Sequence, residues 1–208
     1  LTDNTTGQGN TAVGINAGAD ITTANYNTAL GRQALLTATT GGSNTAVGGN
    51  AGLSVTTGIQ NTLMGYLAGD ALTDADYNVA VGVLALSADT LGSRSTALGY
   101  GTLTNQNFTS ATDAYNVAVG YNAGNDITTG TNNTIIGGFA GDALTEAVFN
   151  VAVGVYSLSS DTLGSRSTAL GYGTLAAQNF TSATNTYNTA VGHNAGNDIT
   201  TGVENTLI

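Results

Sequence analysis

The 208-residue chain contains no cysteine, proline, tryptophan or lysine. Without cysteine there are no disulfides and no thiolate metal sites. Its only cations are Arg32, Arg94 and Arg166, set against thirteen acids for a net charge of −10. Such a surface cannot neutralise phosphates or anionic lipid, which argues against nucleic acid as a partner. No run of about 18 apolar residues is present, so no membrane span is expected. A basic start followed by an apolar stretch is also missing, and no signal peptide is expected within this piece. Charged residues make up only 8% of the chain while 41% is apolar, which is the reverse of a disordered composition.

What is present is a repeat. The opening motif, NTAVG in its first full copy, begins at Asn10, Asn27, Asn44, Asn61, Asn78, Ser95, Asn116, Asn133, Asn150, Ser167, Asn188 and Asn205. The steps are 17 residues, except for 21 after Ser95 and Ser167. A longer period of 72 is superimposed: residues 61–132 and 133–204 agree at 54 of 72 positions, too close a match for two independent folds. A short fixed period marks a solenoid, in which each coil buries its apolar face only by stacking on its neighbours. The expected structure is therefore all-β, a β-solenoid or β-roll with 17-residue coils and two of 21. Residues 1–208 are expected to form one repetitive segment of a longer fibre, or one whose ends stack on other chains. Twelve starts at about 4.8 Å per coil make a rod on the order of 55 Å long.

The columns of the repeat predict the coil. Thr-Ala-Val-Gly is short and β-branched, bounded by Asn and Gly, and reads as a strand of about four residues. The fifth position is Gly in every complete coil: Gly14, Gly31, Gly48, Gly65, Gly82, Gly99, Gly120, Gly137, Gly154, Gly171 and Gly192. That uniformity predicts a positive φ or an approach too close for a Cβ. The fourth position, always Val, Leu, Met or Ile, is expected to face the core, with Thr or Val of the second position beside it. The third position, usually Ala, then faces the opposite way. Two dry faces on a thin coil imply a second layer, and three coils packed about an axis would supply it. Asn at position one, starting with Asn10, is expected to adopt the left-handed conformation and to form amide ladders between coils.

Motifs of the form NTAxGxxAL or NTAVGxNAG followed by an Asn/Thr/Gly-rich turn resemble the repeats of phage and bacterial fibre proteins. They are also similar to the heads of trimeric autotransporter adhesins, although the 17-residue coil is longer than is typical there. The resemblance runs from NTAVGINAG at Asn10 to NTAVGHNAG at Asn188. It implies a left-handed β-roll or solenoid wound as an intertwined or side-by-side homotrimer, a shaft or adhesive head on a virion or outside the cell. It transfers no catalytic residue.

Chemistry is sparse. His193 is the only histidine, and Tyr121 takes its place one long period earlier, so a surface ring is expected there. Neither a zinc site nor a nucleophile triad is available, and no cofactor, metal or enzymatic activity is expected. Asp70, Asp74 and Asp76, echoed by Asp142 and Glu146, are the densest acids. Paired acids cleave polysaccharide in some spikes, but solvated turns are the plainer reading. Arg94 and Arg166, each five residues after Asp89 or Asp161, are expected to pair with an acid in the same or a neighbouring coil. Four acceptor sequons, at Asn4, Asn107, Asn132 and Asn179, matter only in a glycosylating host.

The four extra residues of each long coil are expected to bulge outward with Phe108 and Tyr115, or Phe180 and Tyr187. These are the candidate contacts with a receptor or surface glycan. The expected function is a stiff attachment fibre that assembles with itself. The alternatives are a carbohydrate- or ice-binding solenoid and a polysaccharide-cleaving spike. The recurring Thr column speaks for ice, and its expected interior position speaks against it.

Overall fold

A computed structural model describes all of residues 1–208 as strands and turns, with no helix and hence none long and apolar enough to cross a membrane. Twelve short strands, from Thr11–Val13 and Thr28–Leu30 through to Thr206–Leu207, lie in one parallel sheet in chain order. Each pairs in register with its counterpart one coil on, as Thr11 with Thr28, Ala12 with Ala29 and Val13 with Leu30. The two long coils keep that register, so Thr96 pairs with Val117 and Thr168 with Thr189. The chain is a β-solenoid of about twelve stacked coils, as the 17-residue period predicts.

Most of these strands span three residues, not four, because the Gly that follows takes a φ of 129–139° at every coil and leaves the extended region. Both predicted reasons for Gly hold at once. A Cβ on Gly120 would lie 2.6 Å from the carbonyl oxygen of Gly137 in the next coil.

The facing of the strand corrects the sequence reading. The third position is the core: Ala29, Ala46, Leu63, Ala80, Ala97, Ala118 and Ile135 have no exposure. The fourth position points outward, with Val13 56% and Leu30 46% exposed, and the second position shares that face. The smaller side chain, not the larger, is the one turned into the coil. The interior of so narrow a coil has room for a methyl at this wall because larger groups enter from others. Leu35, Leu86, Leu103, Leu158 and Leu175, six residues after the third position, are fully buried, as are Ile21, Val55, Leu72, Ile127 and Leu144, nine residues after it.

The two walls compensate in volume. Where the third position is Leu63, the facing wall is Gly52 and Gly69, whose absent Cβ atoms would fall 2.7 Å from the Leu63 methyls. Ile135 meets Gly141 in the same way, at 3.1 Å. Where that wall is Leu, the strand offers Ala. Interiors pack at near-crystalline density, so a large residue on one wall requires a missing one on the other.

The asparagine column forms the expected ladder. The Asn61 backbone N–H donates to Oδ1 of Asn44 at 2.9 Å, and Asn61 Oδ1 accepts from the Asn78 N–H at 2.9 Å. Its Nδ2 reaches the carbonyl of Ala75 at 2.8 Å, closing the coil across its own turn. Position one is not left-handed, however. The residue before it is, with φ of 60° at Tyr26 and Tyr77 and 64° at Arg94. Asn must keep its N–H in line with the ladder, so the turn is made one residue earlier.

Candidate interaction surfaces

Three surfaces are built on this frame. The first is the outer face of the sheet. Two rows run its length: Thr or Val at position two, and Val, Leu, Met or Ile at position four, none of them buried. The fourth-position row is aliphatic throughout, the second is Thr in nine coils and Val in three, and no charged side chain interrupts either. A line of exposed aliphatic side chains along the sheet is a candidate contact surface.

Rings line the two margins of that face. Beyond the strand, Tyr100 stacks on Tyr121 with centroids 5.2 Å apart and planes 9° from parallel. The column continues through Phe139, Tyr156 and Tyr172 to His193, whose ring lies 5.2 Å from Tyr172 and nearly parallel to it. His193 is thus a rung of an aromatic ladder, in keeping with a surface ring. The sequence hides this ladder because its rings come from position six in some coils and position seven in others. Before the strand lies a second column, in which Arg94 sits over Tyr77 at 4.7 Å and Tyr115 at 5.9 Å, and Arg166 over Phe149 at 4.8 Å.

The long coils form the third surface, and here a candidate pair fails. Phe108 and Phe180 are only 5% and 7% exposed, so they do not project outward. The outward bulge is Thr109–Ala111 and its copy at 181–183, with Tyr115 and Tyr187 exposed nearby. Phe108 is pulled in by Asp89, which is fully buried and accepts hydrogen bonds from the backbone N–H of Gly92 (3.0 Å) and Phe108 (3.1 Å) and from Gln106 Nε2 (2.6 Å). Gln106 Oε1 in turn accepts from Nδ2 of the ladder residue Asn116 at 2.8 Å. Asp161, Gln178, Phe180 and Asn188 repeat the network. Sequence reasoning missed it, yet a signal existed: Asp89 and Gln106 occupy the column that is Ile21, Ala38, Val55 and Leu72 elsewhere. Burial pushes the Asp89 carboxyl above its ordinary range, opposed by the hydrogen bonds from Gln106, Phe108 and Gly92.

Arg94 pairs not with Asp89 but with Asp113 of the next coil, Nε to Oδ1 at 2.9 Å, while Arg166 meets Asn185 at the matching place, 3.1 Å away. Both partners of the ion pair are exposed, so the pair contributes little to stability.

The acids of residues 70–76 do not converge. Asp74 accepts from Thr57 Oγ1 at 2.6 Å and Asp76 from the Ile59 N–H at 2.8 Å. Asp70 and Asp142 each hold one buried carboxylate oxygen with no hydrogen-bond partner, and desolvation raises both carboxyls above the usual range. No cluster of three metal-ligating side chains occurs. Comparison with protein-family models, curated proteins and solved structures finds no match, so each surface has to be read from its own chemistry.

Proposed function

We propose that the chain is the shaft of a structural fibre, outside the cell or on a virion, with no catalytic role. The observation that carries this reading is the outer sheet face, an aliphatic row beside a Thr/Val row running the length of a single coil stack. A lone chain leaves that stripe in water, and three copies turned toward a common axis would cover it. The sheet is completed within one chain, which favours side-by-side copies over intertwined ones. Stiffness follows from the construction, since each coil is tied to the next by parallel backbone pairing and the buried Asn ladder. The exposed Tyr115 and Tyr187 remain candidate attachment residues; Phe108 and Phe180 do not. Electron micrographs of the purified segment should show straight rods on the order of 55 Å long, set by twelve coils. Compact or irregular particles would contradict the shaft.

One observation favours a second reading. An interior Thr column would speak against ice binding, and the column lies outside: Thr11 and Thr28, and Thr189 and Thr206, are exposed one coil apart. A flat array of methyls and hydroxyls is a surface on which ordered water can sit. Thermal hysteresis in the purified protein would support it. Its absence, in rods that associate through the same face, would leave the fibre alone.

A further inference from the structure

The column of residues that precedes the strand contains a gap. Reading along the rod, its rungs are Gly9, Tyr26, Ser43, Gln60, Tyr77, Arg94 and Tyr115. Beyond the gap, Arg94 lies between Tyr77 and Tyr115 and covers one face of each ring. Between Tyr26 and Tyr77 two successive rungs carry no ring and no cation. There the surface opens into a cleft of about 340 Å³, lined by Tyr26, Thr40, Ser43, Ile59, Gln60 and the turn residue Asn25.

Tyr26 forms one wall of this cleft. Its ring packs on Gly9 of the preceding coil, where a Cβ would fall 2.7 Å from Cδ1, so one face is occupied. The other face looks toward Ser43, the smallest side chain among these rungs above Gly9. The ring is 69% exposed, the most of any aromatic in the chain. The floor supplies hydrogen-bonding groups that the protein does not use. The backbone N–H groups of Ser43 and Gln60 are committed to Asn25 and Gly42. The Asn25 Oδ1 accepts from the Gln8 N–H. The Ser43 and Thr40 hydroxyls, the Gln60 amide and the Asn25 Nδ2 are left facing water. No side chain that lines the cleft is charged, and the net charge of the chain repels anions.

A flat aromatic face opposite a neutral fringe of amides and hydroxyls matches the chemistry of a pyranose ring. Such a ring has an apolar C–H face and equatorial hydroxyls at its edge. Tyr26 and Tyr77 are three coils apart, about 14 Å at the ordinary strand spacing, which is room for two sugar rings along the rod. We propose that this cleft is a binding site for a neutral saccharide of one or two pyranose units, with one ring stacked on the free face of Tyr26. The site lies within a single chain and does not depend on the trimer, so it stands or falls separately from the fibre reading.

The test is a titration of the ¹⁵N-labelled protein with cellobiose, maltose, lactose and N,N′-diacetylchitobiose at millimolar concentration, followed by amide chemical shifts. At least one of them should move the resonances of Tyr26, Ser43 and Gln60 in a saturable way. Tyr26→Asn removes the ring while keeping a residue that accepts positive φ, as Asn132 does in the same column. Ser43→Tyr fills the cleft with a ring. Either change should weaken binding at least tenfold, whereas Tyr66→Asn, which removes a 56% exposed ring that does not line the cleft, should leave it unchanged. The proposal is overturned if none of the four disaccharides shifts these residues, or if Tyr26→Asn and Ser43→Tyr bind as the unaltered chain does. Equal binding of glucuronate and glucose would overturn the neutral-ligand assignment.

Discussion

Gly120 shows how much a single residue decides. Its φ of 136° belongs to a region that L side chains rarely enter, and Gly137 O in the next coil occupies the place of a Cβ. Gly120→Ala should therefore lose about 1–3 kcal/mol from backbone conformation alone, with the steric term added, and chemical denaturation would measure it. The uniform Gly column made this legible in the sequence. Asp70 was less so, because its burial follows from the turn of the coil. Its Oδ1 has no partner, and desolvation raises its folded pKa above the ordinary carboxyl range. A raised carboxyl means that the folded state binds the proton more tightly. The stabilisation is thus fully present below the unfolded value and is lost as pH rises through the folded one. Asp70→Asn, neutral at every pH, should raise the melting temperature at pH 7. That advantage should shrink as the pH falls toward 4; an advantage independent of pH would show that the carboxylate is not the cause.

At the scale of the element, the long coils separate what their sequence seemed to join. Phe108 and Thr109–Ala111 lie in one insertion, but the first is buried and the others are exposed. Phe108→Ala should cost about 3–5 kcal/mol, the usual loss for a buried Phe, whereas Ser110→Gly should stay within about 0.5 kcal/mol. Equal effects, measured by thermal unfolding, would mean that Phe108 is not held by the Asp89 network. The bulge was readable because the register of the coils on either side is kept. The inward Phe was not, because it depends on Asp89 and Gln106 standing in a column that is otherwise apolar. Which strand face is inside was not legible for a related reason. Alternation gives two faces but does not say which is inside, and the volume of the opposite walls made the Ala side the core.

At the scale of the whole molecule, the period fixes a rod, its parallel register and its asparagine ladder, all of which could be read from the spacing of Asn and Gly. Inverting the strand faces leaves the argument for a partner intact and moves its site. In the proposed trimer the surface covered is the row containing Val81 and Val119, flanked by aromatic columns, and not the Ala column. Light scattering of the segment at micromolar concentration tests this most directly. The account predicts three times the 20.6 kDa chain mass, falling to the mass of one chain when Val81→Asp and Val119→Asp place charge on the outer face, with the coil fold retained. A single-chain mass for the unaltered protein, or a trimer indifferent to those two changes, would contradict it.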